Sequence, residues 1–363
     1  MNLVCASIRA SSVALLLGMG SFATISAAYA QCEPTAEQSR PIPLGVSGGN
    51  IDSIDPGDCC SGTLGSLVES GSNQFILSNS HILAARDKSQ VVIQPGLADL
   101  GCSQDSSDQV ADGVKFIRIS KTRANIVDAA IAQVIEGDVD SSGSILNIGN
   151  IAAGGAVAPR LKLRVQKMGR TTCLTEGRVT AVEVSVKVSY PNLCKIVFTG
   201  TAIFRHQIQI KPGTFIAAGD SGSLVVTTGS CPGAVGLLFA GGAHSTFANP
   251  MTAVLRKFNA TMVGNSCKPT KTLLADASAS AMDYRQQPQP SEMAVTVAVK
   301  QRHEAELLKM SGVTGSGVGL SAEGKAVIKV FVEKDTQAMR SSVPPFLETI
   351  PVEIEETGPV TAY

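Results

Sequence analysis

The stretch Gly219-Asp220-Ser221-Gly222-Ser223, followed directly by the apolar run Leu224-Val225-Val226, is the most informative local pattern in this sequence. Glycines on both sides of Ser221 allow a sharp backbone turn, which can direct the N–H groups of Gly219 and Ser221 toward one point beside the hydroxyl. A serine hydroxyl is a weak nucleophile, so it needs a base to accept its proton and donors to hold the oxyanion. The stretch therefore predicts a reactive serine with a base elsewhere in the chain.

Four histidines follow the first thirty residues and could supply that base: His81, His206, His244 and His303. His81 comes after the apolar residues 75–77, at a strand-to-turn junction where its ring can face the edge of a barrel. His206 lies in an alternating segment, His303 in a charged helical run and His244 in a surface loop. We interpret these three as ordinary side chains and predict His81 as the general base.

The third residue of such a site is an acid that orients the imidazole, and Asp128 fits this role. It is embedded in the apolar segment Asn125-Ile126-Val127-Asp128-Ala129-Ala130. A carboxylate is costly to bury without a partner, and His81 would supply one. The alternative, that Asp128 only ends a strand at a turn, explains this residue in isolation but not beside the other two matches.

Histidine, aspartate and serine in this order and at this spacing resemble the trypsin/chymotrypsin-like serine peptidases. The segment Gly169-Arg170-Thr171-Thr172 resembles one that is common in the bacterial branch of that family. The resemblance covers about residues 41–267. It implies a mainly β fold of two six-stranded barrels with a cleft between them, a protein or peptide substrate, and no cofactor.

The resemblance also implies a role for each site residue: Ser221 as nucleophile, His81 as general base and then acid, Asp128 as the orienting acid, and Gly219 with Ser221 as the oxyanion hole. Phe215 stands where members that cut after Lys or Arg carry an acid, which argues against basic specificity. Phe239 and Gly241 would line the wall of the substrate pocket and favour a small or apolar residue before the scissile bond.

Two usual features of the family are missing from this sequence. Ile82 follows the histidine where a disulfide-forming cysteine is usual, and the region near Pro41 lacks the Ile-Val-Gly-Gly that becomes an activating N-terminus. Asp220, which would bind that terminus, must therefore find another partner.

Short β-type runs separated by turn residues fill the region between residues 62 and 267, which predicts a β-barrel or a β-sandwich. The resemblance implies a peptidase domain over residues 31–268. Residues 181–188 alternate as a half-buried strand should. Helical spacing is convincing only near residues 250–258.

The composition changes after this region. Residues 269–292 are rich in Ala, Ser, Gln and Pro and predict a linker. Residues 293–363 predict a small α+β domain, which would contact the peptidase domain or a partner protein. Its predicted elements are a helix at 300–309, strands at 312–320, 326–332 and 350–355, and a short helical piece near 344–348.

The first thirty residues predict a signal peptide. Arg9 precedes the apolar residues 13–25, and Ala28-Tyr29-Ala30 supplies the small residues of a cleavage site. The apolar run is shorter than the about 20 residues that a membrane span needs, and no later run is a better candidate. Gln31 argues against a lipid anchor on Cys32. We expect a secreted or periplasmic protein.

Nine cysteines occur, and removal of the signal with Cys5 would leave eight, an even number that favours disulfide bonds. We expect Cys173 to pair with Cys194 across a hairpin, and Cys60 with Cys102 between neighbouring loops, although spacing alone does not determine connectivity. The alternative is a metal site, but no Cys-x-x-Cys pair occurs.

Charge and composition restrict the function classes. The chain has 30 Lys and Arg against 30 Asp and Glu and no long basic block, which argues against nucleic-acid binding. Two hypotheses stay open: a secreted serine endopeptidase, and a catalytically inactive binding protein built on the same scaffold.

Overall fold

A computed structural model describes residues 32–362, except for residues 56–57, 86–89, 192–193, 195–197 and 270–287. The predicted signal peptide, residues 1–30, and most of the predicted linker, residues 269–292, lie outside the described residues. Residues from Glu33 onward form one unit.

Strands predominate among the described residues. In chain order they are β1 (Val46–Asn50), β2 (Ile54–Asp55), β3 (Asp58–Cys59), β4 (Gly62–Leu64), β5 (Ser66–Ser70), β6 (Asn73–Ser78), β7 (Val92–Ile93), β8 (Gln109–Phe116), β9 (Ala130–Val134), β10 (Arg164–Gly169), β11 (Cys173–Tyr190), β12 (Gly200–Lys211), β13 (Leu224–Thr227), β14 (Ala234–Gly241), β15 (Thr246–Pro250), β16 (Thr261–Met262), β17 (Val313–Leu320), β18 (Ala326–Val332), β19 (Phe346–Leu347), β20 (Ile350–Glu356) and β21 (Thr361–Ala362). The helices are α1 (Ser80–Leu83), α2 (Met251–Phe258), α3 (Pro290–Lys309) and α4 (Gln337–Ser342).

The first barrel is an eight-stranded sheet in the order β16-β5-β6-β9-β8-β7-β1-β4. Its strands are antiparallel, and the hairpin β5–β6 pairs Ser66 with Leu77 and Ser70 with Asn73. Leu67 and Ile76, which pair within this hairpin, are fully buried. The strand β6 ends at Ser78, and the short helix α1 follows at once, so a packed hairpin fixes the position of α1.

The second barrel closes on itself. Its strands run in the order β10-β13-β14-β15-β12-β11, and an additional pairing of β10 with β11 completes the ring. The 18-residue strand β11 bends through irregularities near Ala181 and Val184, which is how one long strand can follow a barrel wall and leave it again. The predicted mainly β, trypsin-like fold is confirmed. The second sheet closes as a barrel, and the first is an eight-stranded sheet where the resemblance implies a six-stranded barrel.

The C-terminal strands extend the sheet of the second barrel. Strand β17 pairs antiparallel with β11, β18 with β17, and β20 lies parallel to β18. Helix α3 covers these strands through an apolar cluster that includes Val299, Leu307, Val313, Ile328 and Val330. That residues 293–363 form a domain of their own stays a prediction.

The helix and the three strands predicted in this region are present, and α3 begins ten residues before residue 300, at Pro290. The prediction of a short helix near residues 344–348 is wrong. Thr336 caps α4 through Met339, so the helix forms earlier and ends at Ser342. Pro344 and Pro345 cannot continue it, and the next residues pair with β20 as β19.

A buried ion pair within α3 is hydrogen-bonded to strands of the second barrel. Lys300 Nζ lies 2.5 Å from Glu304 Oε2, and Glu304 also accepts hydrogen bonds from Ser185 Oγ at 2.5 Å and Arg205 Nε at 2.6 Å. Burial lowers the pKa of Lys300. Burial alone would raise the pKa of Glu304, but Lys300, Ser185 and Arg205 stabilise the carboxylate, and the pKa is lowered overall.

Disulfide bonds are present, but the predicted pairings are wrong. The bonds are Cys59–Cys102, Cys60–Cys194 and Cys231–Cys267, and Cys173 is also disulfide-bonded. The expected pair Cys60–Cys102 fails because neighbouring side chains of an extended segment point in opposite directions. Cys59 therefore reaches Cys102, and Cys60 reaches Cys194.

The expected pair Cys173–Cys194 fails for a different reason. The two cysteines do not flank a hairpin, because Cys173 begins β11 and the strand continues to Tyr190. Such a strand extends for up to about 55 Å at roughly 3.3 Å per residue, whereas a disulfide needs Cα atoms within about 7 Å.

In the described ranges, no helix has the length and apolarity to span a lipid bilayer.

Candidate active site

His81 is held by a turn that is bonded to the start of β9. The side chain of Asn79 donates to the carbonyl of Asp128 at 2.7 Å. Ser80 Oγ donates to the carbonyl of Ala129 at 2.8 Å, and the N–H of Ser80 donates to Asp128 Oδ1 at 2.8 Å. These short polar residues therefore fix α1, and with it the imidazole, directly against Asp128.

His81 and Asp128 form a buried pair. The distance from His81 Nδ1 to Asp128 Oδ2 is 2.5 Å, and the two side chains are 6% and 0% exposed. The N–H of Asp128 donates to Asn249 Oδ1 at 2.9 Å, which fixes the backbone on the other side. The structure brings together these two predicted residues, which are separated by 46 intervening positions in the sequence.

Tyr190, the last residue of β11, completes the surroundings of the acid. Its hydroxyl donates to Asp128 Oδ2 at 2.8 Å, and its ring meets the His81 ring edge-on at a centroid distance of 5.8 Å. Burial and the adjacent carboxylate hold the pKa of Tyr190 well above its usual value. The hydroxyl is therefore a fixed donor, and Asp128 Oδ2 accepts from both rings.

The sequence analysis did not identify Tyr190. A signal existed, because a tyrosine at the buried end of an alternating strand needs a partner for its hydroxyl. The partner itself lies 62 positions away in the sequence and is not predictable from local pattern.

Ser221 lies in a turn that packs against the first barrel. Gly219 and Gly222 have φ values of +96° and +94°, which favour glycine. A Cβ on Gly222 would lie 2.1 Å from Ser78 Oγ, at the end of the strand that precedes His81. The Ser221 carbonyl accepts the N–H of Thr63 at 2.8 Å. The turn is therefore seated where the two barrels meet, on the strand that leads to His81.

The Ser221 hydroxyl is buried and donates to the carbonyl of Phe239 at 3.3 Å. Within the part of the chain that the structure describes, the N–H groups of Gly219 and Ser221 have no hydrogen-bond partner. A Cβ on Gly219 would lie 2.5 Å from Thr171 Oγ1 and 2.7 Å from Arg170 Nη1, so this position has no room for a side chain.

Asp220 finds its partner inside the protein. Its carboxylate accepts the N–H groups of Thr171 at 2.8 Å, Thr172 at 3.1 Å and Ala217 at 2.9 Å. Lys167 Nζ, on β10, lies 3.4 Å from Asp220 Oδ2, and both side chains are fully buried. Burial lowers the pKa of Lys167, while Asp220 opposes that effect. An internal ammonium thus holds the residue before Ser221, which the sequence analysis left without a partner.

The predicted pocket residues occupy two different places. Phe239 and Gly241 lie on β14, where the Phe239 carbonyl accepts the Ser221 hydroxyl. The Phe239 ring packs against Phe204 at a centroid distance of 4.8 Å. Phe239 belongs to one apolar cluster of the second barrel and Phe215 to another. The Phe215 carbonyl accepts a hydrogen bond from Thr175 Oγ1 at 3.0 Å. All three residues are buried.

The remaining histidines contact acids at the surface. His206 Nδ1 lies 2.6 Å from Glu183 Oε2, and His303 Nε2 lies 3.3 Å from Glu348 Oε1. His244 is exposed. None of these contacts involves Asp128 or Ser221. Among the described residues, no group of His, Cys, Asp and Glu side chains could hold a metal ion.

Comparison with known proteins agrees with this architecture. The family model named Trypsin matches residues 34–259, which is more than half of the chain. No curated protein sequence matches the chain.

Several solved structures are similar. A glutamic acid specific serine protease that uses a histidine triad in substrate binding is 20% identical, with a TM-score of 0.42, over 61% of this chain and 100% of its own. Protease A of Thermobifida fusca is 16% identical, with a TM-score of 0.40, over 62% and 99% of the two chains. A homologue of alpha-lytic protease, N4, is 19% identical, with a TM-score of 0.39, over 61% and 98%. On the match of the family model, the chain belongs to the trypsin family.

Proposed function

We propose that the protein is an exported serine endopeptidase that hydrolyses peptide bonds through an acyl-enzyme. Ser221 attacks the scissile carbonyl, His81 accepts the hydroxyl proton and later donates it to the leaving amine, and Asp128 orients the imidazole. The observation that carries this proposal is the buried contact of 2.5 Å between His81 Nδ1 and Asp128 Oδ2. No cofactor takes part in this chemistry.

The surroundings of Asp128 support the proton positions that this mechanism needs. A carboxylate only accepts hydrogen bonds, so His81 Nδ1 carries the proton and Nε2 is the basic nitrogen of the neutral ring. When the ring becomes charged during attack, Asp128 stabilises it. The hydroxyl of Tyr190 and the N–H of Ser80 keep the carboxylate in this orientation.

The turn around Ser221 supports an oxyanion hole. The N–H groups of Gly219 and Ser221 are the proposed donors to the negative oxygen of the tetrahedral intermediate. Lys167 and the N–H groups of Thr171 and Thr172 hold Asp220, so the turn is preorganised without a newly cut N-terminus.

The proposed substrate is a protein or peptide with an uncharged residue before the scissile bond. Phe215 and Phe239 are fully buried apolar residues, and glycine at position 241 adds no side chain to that wall. The resemblance places an acid at the position of Phe215 in members that cut after Lys or Arg. The disulfide bonds support export, because such bonds persist in oxidising compartments.

A fluorophosphonate probe, which reacts with activated serines, tests the proposal. It is expected to label the protein at Ser221, and Ser221→Ala should abolish both labelling and peptide hydrolysis. Ser223→Ala is the matched control, because Ser223 is an equally buried serine whose hydroxyl donates to the Asp220 carbonyl. Labelling that persists in Ser221→Ala would place the nucleophile elsewhere. Absence of labelling in the folded full chain, and also in a truncation after Gly358 and in Thr361→Pro, would favour the alternative of an inactive binding protein.

A further inference from the structure

A segment of the same chain covers the edge of β14 beside the nucleophile. The carbonyl of Phe239 accepts a hydrogen bond from the Ser221 hydroxyl. The next two residues on β14 pair with β21: Ala240 with Ala362, and Gly241 with Thr361. Because the pairing is antiparallel, β21 runs from Gly241 toward Phe239. The segment therefore points along β14 toward Ser221.

The segment is also held on its other side. Thr361 pairs with Ser189 of β11, whose N–H donates to the Val360 carbonyl at 2.9 Å. Val360 and Ala362 are 4% and 5% exposed and belong to the same apolar cluster as Tyr190. Strand β21 is thus inserted between two strands and is not a loose end on the surface.

The residues before β21 pass closely over the end of β14. Thr357 is fully buried, and its hydroxyl contacts that of Thr314 at 3.0 Å. A Cβ on Gly242 would lie 2.4 Å from the Thr357 carbonyl oxygen and 2.9 Å from that of Pro359. No second chain fits between β14 and residues 357–362.

This segment occupies the backbone groups that a substrate needs. A peptide is presented to a serine beside a sheet by adding a strand to the adjacent edge, with main-chain hydrogen bonds for affinity. The other edge of β14 is already paired with β15. Each edge accepts one strand at a time, so residues 357–362 and a substrate compete for Ala240 and Gly241.

We propose that residues 357–362 are an intramolecular inhibitor of this active site, an inference that rests on the proposed function. The segment binds as a substrate strand would and must leave β14 before a peptide is cleaved. Its paired part, Val360-Thr361-Ala362, also defines the class of peptide that this edge accepts: extended, uncharged, and small or β-branched.

Three variants test the proposal: truncation after Gly358, Thr361→Pro and Thr361→Val. Proline removes an N–H and is not tolerated between two paired strands, whereas valine keeps the backbone donor and the strand preference. Truncation and Thr361→Pro are expected to raise the rates of probe labelling and peptide hydrolysis about tenfold or more, which corresponds to a site that is open in one molecule of ten or fewer. Thr361→Val should behave as the unaltered chain does.

Equal rates of labelling and hydrolysis in the unaltered chain and the three variants would refute the inhibitory role of residues 357–362. The proposed peptidase function would not be affected. If none of these proteins is labelled, the peptidase function fails, and hydrogen exchange decides whether the segment occupies the edge. The N–H of Gly242 donates to the Ser245 carbonyl on the β15 side, so by alternation the N–H of Gly241 faces β21. The Gly241 amide is expected to be protected in the full chain and in Thr361→Val, and to exchange faster in Thr361→Pro. Rapid exchange of residues 360–362 in the full chain would overturn the proposal whatever the activity.

Discussion

Replacing Tyr190 with Phe tests how the acid of the proposed triad is held. The change deletes the hydroxyl that donates to Asp128 Oδ2 at 2.8 Å and keeps the ring, whose centroid lies 5.8 Å from that of His81. A hydrogen bond to a charged group contributes about 1.5–3 kcal/mol. Since about 1.36 kcal/mol corresponds to a factor of ten in rate, kcat is expected to fall roughly 10- to 100-fold if this bond fixes the carboxylate on His81.

The measurement is kcat and KM for a peptide substrate, in the full chain and in the chain truncated after Gly358. We expect kcat to fall while KM changes little, because Tyr190 touches the acid and not the edge of β14. Thr180→Val is the control: it removes another hydroxyl from β11, one that donates to Gln209 Oε1 at 2.9 Å. An unchanged kcat in Tyr190→Phe, or an equal loss in Thr180→Val, would refute the positioning role.

Other substitutions test the oxyanion hole and the two buried lysines. Gly219→Ala is expected to lower kcat about 100-fold or more, because it displaces an oxyanion donor. Gly229→Ala is the control: Gly229 also has positive φ (+114°), no atom lies within 4 Å of an added Cβ, and only stability should change. Equal kcat values in the two variants would contradict the assignment of Gly219 to the oxyanion hole. Lys167→Met should lower the free energy of unfolding by about 3–5 kcal/mol, because it leaves a buried carboxylate uncompensated, and urea unfolding that matches the unaltered protein would show that the surrounding amides suffice. Glu304→Met alone should be destabilising by a similar amount, about 3–5 kcal/mol, whereas Met at both Lys300 and Glu304 should be nearly neutral in the same assay; a double variant as unstable as the single one would contradict this. Folding lowers the pKa of Glu304 from 4.5, so its contribution to the free energy of unfolding is complete above that value and is lost as pH falls through the folded pKa. Urea unfolding measured at several pH values should show this loss in the unaltered chain and not in the double variant. The same acid sensitivity in both proteins would refute the prediction.

Local pattern was sufficient where a short stretch sets its own conformation. The strand at residues 326–332 and the helix near residues 250–258 form where alternation and helical spacing predict them. The turn at Ser221 has positive φ at both flanking glycines, as the Gly-Asp-Ser-Gly pattern favours. Asp128 is buried against His81, as the cost of burying a lone carboxylate requires.

Local pattern failed where a contact depends on strand length or on which side of an extended chain a residue faces. Cys59 and Cys60 differ by one position and bind cysteines 92 residues apart, Cys102 and Cys194. Their pairing depends on the alternation of side chains and on the length of β11, and neither is visible from spacing. The domain boundaries predicted at residues 268 and 293 stay predictions, because β17 pairs directly with β11.

The sequence by itself determined the order of histidine, acid and serine, the β-rich architecture and the cysteines available for cross-linking, because each of these depends on residue type and short-range periodicity. Only the tertiary structure decided that Tyr190 donates to the acid, that Lys167 neutralises Asp220, and that Thr361 and Ala362 lie on β14. These three contacts join positions that are far apart in the chain. Their geometry is set by barrel closure and strand register, which many weak long-range interactions determine together.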